Sequence, residues 1–163
     1  MVHGDRADLG EGEASAAAAE AAVARVSSYR FRSQFHLRSA ERAIVARDGL
    51  RVIRVHAAQM LATRLVPAHP RNDGKQTPWG GHPVFRAQHA TGTCCRGCLA
   101  RLHGIDRGRE LSAAEIDYVC DVICCWIGQE MSAGQFGSGA RPRANTAPPR
   151  RRRVPRSAQG TLF

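Results

Sequence analysis

The sequence predicts an all-α protein: a small single-domain helical bundle with a long ordered polar loop, flanked by disordered tails. Three observations lead there. Apolar residues recur at three- and four-residue intervals over 50–65 and 112–131. Capping residues and glycines stand where those intervals begin and end. No stretch alternates with the two-residue period of a half-buried strand.

From the N-terminus, residues 1–26 are rich in Ala, Glu and Gly. The run from Glu13 to Arg25 favours a helix but holds almost nothing large to bury. A frayed helix or a disordered arm is expected. The domain proper is placed at 27–131. Ser39 can cap a short helix, Ala40 to Arg47, that stops at Gly49. A second helix runs from Leu50 to Leu65. Val52, Ile53, Ala57, Met60, Leu61 and Leu65 form its buried stripe, with His56 as a core or rim residue.

Residues 68–83 are turn chemistry, with Asn72-Asp73-Gly74 and three prolines in the segment. A loop of this length in a compact domain is either functional or disordered, and Trp79 favours order. The last helix opens on the capping box Ser112-Ala-Ala-Glu115. Its stripe of Ile116, Val119, Cys120, Ile123, Trp126 and Ile127 extends to about Met131, and Cys120 and Cys124 read as packing residues. Residues 132–163, rich in Arg and Pro, form the disordered tail.

Of the formal net charge of +10, the tail supplies +7 and the rest of the chain +3. The domain is therefore only mildly basic, and the tail is the candidate for non-specific nucleic-acid contact. Lys75 is the only lysine among 24 Lys and Arg residues, which reads as coding bias. No apolar run reaches membrane-helix length, and acidic residues interrupt the first 20 positions, so neither a membrane partner nor a secretory leader is expected. The expected location is cytoplasmic, where six cysteines are reduced thiols, metal ligands or packing residues.

Chemistry concentrates between His89 and His103, a span holding Cys94, Cys95 and Cys98. Thr93 can cap a helix over 94–103 with Gly104 as its stop, and Cys95, Cys98, Leu99 and Leu102 then share one face. As a ligand pocket, the N-terminus of that helix would receive an unknown anion, a metabolite or a nucleic-acid phosphate. Lys75, Gln76, His82, Gln88, His89, Thr91, Thr93 and Arg96 would surround it. As an enzyme or redox thiol protein, Cys95 or Cys94 would be the first-turn thiolate, with His89 or His82 as its partner base. No cofactor is expected on either reading. As a zinc site, Cys95-x2-Cys98-x4-His103 lacks a fourth ligand, because Gly108 holds that place. Helical rise also separates Cys95 from His103 by about 12 Å. Either Gly97 breaks the helix into a knuckle, or zinc would need Cys95 and Cys98 with His89 or His82.

The runs Asn72-Asp-Gly-Lys-Gln-Thr-Pro78, Gly81-His-Pro-Val-Phe85, Ala87-Gln-His-Ala-Thr91 and Thr93-Cys-Cys-Arg-Gly-Cys-Leu99 resemble an uncharacterised bacterial family, the domain of unknown function 4186. Phe31-Arg-Ser33, His103-Gly-Ile105, Asp121-Val-Ile123 and Trp126-Ile127 extend the resemblance over about 27–131. The sequence departs from the family at Trp79-Gly80, where Met-Arg is expected, and at Leu102, where an aromatic is. An arginine missing at position 80 weakens an anion site unless Arg86 or Arg96 compensates. Cys120, Cys124 and Cys125 lie outside the family pattern, in keeping with packing. The resemblance implies no activity; it singles out 72–98 as the segment of interest.

Overall fold

The computed structural model describes residues 8–136. Five α-helices account for the fold, and no strand occurs among the described residues: α1 (Asp8–Ser27), α2 (Ser39–Arg64), α3 (Pro83–Thr91), α4 (Arg96–His103) and α5 (Ala113–Phe136). A single 3-10 turn, Arg32–Gln34, joins α1 to α2. The helix α5 is central, with α1, α2 and α3 packed around it.

Its sequence explains that position. The capping box forms as expected, with the Ser112 N–H donating to Glu115 at 2.9 Å and the Glu115 N–H to Ser112 Oγ at 3.2 Å. Val119, Cys120, Val122, Ile123, Trp126 and Ile127 are buried, spanning more than one helix face because partners lie on three sides. The helix runs to Phe136, past the expected end near Met131 and into the first residues assigned to the tail. The tail from 137 onward lies outside the described residues.

The N-terminal segment differs more. Instead of a frayed arm, α1 docks on α5 with Ala19, Ala22, Val23 and Val26 buried. Small side chains bury little area each, but they let two helix backbones approach closely, and that is how an Ala-rich segment gains a partner.

In α2 the two expected helices are stacked end to end across Gly49, whose φ of 78° and ψ of 157° break the helical path. Ile53, Ala57, Leu61 and Leu65 form the buried stripe, whereas Val52 is exposed. Ser39 is not the cap. The helix starts one residue earlier, and the Glu41 carboxylate accepts the Arg38 N–H at 2.9 Å. Glu41 is also buried against Arg86 of α3, with N···O distances of 3.3–3.4 Å. A Cβ at Gly80 would crowd this pair, coming within 2.9 Å of the Arg86 guanidinium and 3.2 Å of Glu41.

The helix α3 was not expected from sequence, where Pro83 closed the turn segment and 84–92 had no assignment. Its start is His82, whose Nδ1 accepts the Val84 N–H at 3.2 Å, with Pro83 in the first turn. Its end is Gly92 in the left-handed region, where a Cβ would overlap Leu102. No helix among the described residues is long and apolar enough to cross a membrane.

Candidate metal centre

Three thiols converge where α4 begins. The Sγ atoms of Cys94, Cys95 and Cys98 all lie within 4.8 Å of one another, and Cys94 and Cys98 stand 3.7 Å apart. They form the one group of potential metal ligands found among the described residues. The local cause is a shift in the cap. Cys95, not Thr93, is the N-cap of α4, and its Sγ accepts the Cys98 N–H at 3.3 Å. Thr93 is fully buried instead, its hydroxyl 3.1 Å from that of Thr91, and Thr91 in turn donates to the Ala87 carbonyl at 2.8 Å. With Cys95 at the cap, Cys98 sits in the first turn and Cys94 just before it. All three sulfurs therefore face one point.

Arg32 supplies the positive charge there. Its guanidinium is buried, donates to Cys98 Sγ at 3.3 Å, and bonds the His89 carbonyl. Hydrogen bonds from the Cys94 and Cys95 thiols, and then Arg32, hold the Cys98 pKa far below the usual thiol value. Cys94 is pushed up first by its hydrogen bonds to the other two sulfurs and then by burial; at Cys95 the bond with Cys94 lowers the pKa, but the bond to Cys98 and burial outweigh it and push it up. Among the three sulfurs, the two neighbouring thiols and the Arg32 guanidinium favour the charged form at Cys98.

Neither expected partner base meets a cysteine. His89 Nε2 lies 3.2 Å from the Thr77 carbonyl and 3.1 Å from that of Pro78, so it carries the proton and donates it to oxygen. The His89 ring stacks on Trp79 at 4.1 Å, and burial lowers its pKa. His82, spent on its cap, points Nε2 at His56 Nδ1, 3.2 Å away. Burial, then the charge of His56, lowers its pKa. His103 bonds the Thr91 carbonyl at 2.8 Å and Tyr118 at 2.9 Å, away from the sulfurs, as its place at the far end of α4 requires.

The N-terminus of α4, expected to receive an external anion, is met by the chain's own carboxylate. Asp73 accepts the Arg96 N–H at 3.1 Å, Gln76 at 3.1 Å and Arg107 at 3.0 Å. Burial opposes the Asp73 charge, but these donors outweigh it and lower its pKa. The Arg96 guanidinium is turned inward, donating to the carbonyls of Leu65, Val66, Pro67, Asp106 and Arg109 at 2.7–3.5 Å. It ties the end of α2 to the loop after α4, and Arg86 is held by Glu41. Neither arginine is therefore free to replace a cation missing at position 80. Gln88 donates to the Thr93 carbonyl at 3.0 Å and is 1% exposed, so it braces the α3–α4 turn. Lys75 is exposed.

Two contributors escaped the sequence patterns. Arg32 comes from a segment 62 residues before Cys94, and only the Phe31-Arg-Ser33 resemblance hinted at it. Cys94 had the place of a possible nucleophile but not of a ligand. Away from the site, Cys120 is a core residue, while Cys124 and Cys125 are half-buried beside α1, in keeping with the packing role assigned to Cys120 and Cys124. Burial pushes the Cys120 and Cys124 thiols up to about 11.

No solved structure matches the chain. Residues 20–128, which take in every helix partner of the thiol cluster, match the family model described as Domain of unknown function (DUF4186), and the chain belongs to that family.

Proposed function

We propose that the domain is a metal-binding module that holds one zinc ion through Cys94, Cys95 and Cys98. The observation that carries this reading is the 3.7 Å separation of Cys94 and Cys98 Sγ. Zinc–thiolate bonds of about 2.3 Å, arranged tetrahedrally, place neighbouring sulfurs about 3.8 Å apart. The Cys94 and Cys98 sulfurs thus stand at the edge length of a zinc tetrahedron with no movement of the backbone. His89 and His82 are left out of the ligand set, because neither joins the converging group, His82 commits both ring nitrogens elsewhere and His89 commits Nε2. Three protein ligands leave a fourth position for a small external ligand. Arg32 offsets the surplus negative charge of three thiolates. A cytoplasmic setting, which keeps thiols reduced, suits the site.

The test is elemental analysis of the full chain purified without chelator. About one zinc per chain is expected, falling to background in Cys98→Ser and persisting in His89→Gln. A metal-free protein, together with no thiolate-to-cobalt charge-transfer band on adding cobalt, would overturn the proposal.

A second reading rests on Arg32, which would equally serve a reactive thiolate at Cys98. Its signature is a metal-free protein whose Cys98 alone is alkylated rapidly at neutral pH. Slow alkylation of Cys98 in metal-free protein would exclude it.

A further inference from the structure

The link between α1 and α2 presents an aromatic surface that the thiol site does not use. Tyr29, Phe31 and Trp79 are 52%, 53% and 63% exposed, half of the large hydrophobic side chains left in solvent among the described residues. They are not scattered. Phe31 meets Phe35 edge-on at 5.4 Å. The rings of Phe35 and Trp79 lie within 6° of parallel at 6.2 Å, and Trp79 is fixed by its stack on His89. The Trp79 indole is therefore held in one plane while most of its surface faces water.

The charge around this strip has one sign. From Tyr29 to Arg38 there are three arginines and no acid. Arg30 and Arg38 are exposed, and the Arg32 guanidinium lies 5.2 Å over the Phe31 ring. Beside the strip is a cleft of about 310 Å³, walled by Ser33, Phe35, Trp126, Gln129, Glu130 and Ala133. Its acid, Glu130, is engaged by Arg42 at 3.2 Å and by His36 at 3.1 Å. Gln129 and Ala133 belong to the last turns of α5, so the chain leaves the described structure next to the strip. Residues 137–163, which continue from there, carry seven arginines and no acid.

We infer that the Phe31–Phe35–Trp79 strip is a stacking platform for single-stranded nucleic acid, whose phosphates are met by Arg30 and Arg38. Exposed rings accept unpaired bases of any identity, and flanking arginines track the backbone. A duplex offers no free base faces and gains only the charge contribution. This places the nucleic-acid contact at the α1–α2 link rather than at the α4 N-terminus, where the sequence suggested a phosphate or other anion. It does not require metal at the cysteines.

The chain reports on itself, because it has two tryptophans and Trp126 is only 6% exposed. Titrating the full chain with a short single-stranded deoxythymidylate oligomer should quench the Trp79 emission. Trp79→Ala should weaken binding about tenfold or more with the salt slope unchanged, since no charge is removed. Trp79→Phe should keep most of the affinity, and Phe31→Ala should weaken it independently. Emission from Trp126 reports that each variant is folded. Absence of quenching at saturating oligomer would overturn the inference. So would equal affinity for a duplex of the same length with Trp79→Ala unaltered, which would assign binding to the arginines alone. Self-association abolished by Trp79→Ala, with no response to oligomer, would assign the strip to a second copy and overturn it as well.

Discussion

The Arg32 guanidinium reaches Cys98 Sγ at 3.3 Å across a gap of 66 residues in sequence, and with its other arm bonds the His89 carbonyl. One side chain thereby couples the α1–α2 link, the end of α3 and the first turn of α4. Replacing it by methionine keeps the bulk but removes the charge and both bonds. Zinc affinity of Arg32→Met should fall by about 10- to 100-fold, the range for lost outer partners of metal ligands. Competition with a chromogenic chelator measures it, and an unchanged affinity would deny Arg32 a role at the sulfurs.

Arg96 predicts a stability effect without a metal effect. Its guanidinium serves five carbonyls from two separate loops, and Arg96→Met removes all of these bonds. A buried acceptor left unpaired costs about 1–3 kcal/mol and a part-buried one less, so a total loss of about 3 kcal/mol is expected. Arg96→Lys should recover little, since one ammonium cannot span both loops. Urea midpoints provide the measurement.

Asp73 fills the place where an anion was expected. Asp73→Ala should destabilise by about 1–2 kcal/mol through loss of the Arg96 N–H bond and the Arg107 pair. It should also create the missing site. Inorganic phosphate should then raise the Tm of the variant while leaving that of the parent unchanged. A parent stabilised equally by phosphate would show that the carboxylate does not block the helix end.

Burial, foremost among the causes, depresses His82, His89 and His103 below the ordinary imidazole value of about 6.5. The unfolded chain therefore binds protons before the folded chain does as pH falls. The stability these groups confer is full above about 6.5 and is lost progressively below it, as pH falls through their folded values. Asp73 and Glu115, whose carboxyls are held low, add a further loss only below about pH 4. The urea midpoint should thus drop between about pH 7 and about pH 5, and less so in His89→Gln. A flat midpoint over that interval would contradict the neutral histidines.

Local signals carried much of the architecture. Ser112 and Glu115 announced α5, Gly49 announced the break in α2, and Gly104 with Ile105 announced the end of α4, where the Ile105 N–H bonds Leu99 at 3.3 Å. Each is set by a few neighbouring residues, so sequence suffices to find it. The helix α3 was equally readable from His82-Pro83 and Gly92, but its eight buried residues include Arg86, Gln88, His89 and Thr91, which hide any apolar period. The site was less legible for a different reason. Whether Thr93 or Cys95 caps α4 turns on a backbone difference of two residues, yet it decides which sulfurs converge. Arg32 and Asp73 join the site through tertiary contacts that no local pattern encodes.

The break at Gly49 sets the phase between the halves of α2. Each residue of a helix turns by about 100°, so a single insertion beyond Gly49 would rotate its second half by that angle relative to its first. Glu41 would still meet Arg86, but His56 would swing away from His82, and Ile53, Ala57, Leu61 and Leu65 would leave the interior. Because Gly49 has open space around the position of a Cβ, its conformation alone is what a side chain there would disturb. Length in this helix is thus a quantity held as tightly as any side chain, with one glycine as its index mark.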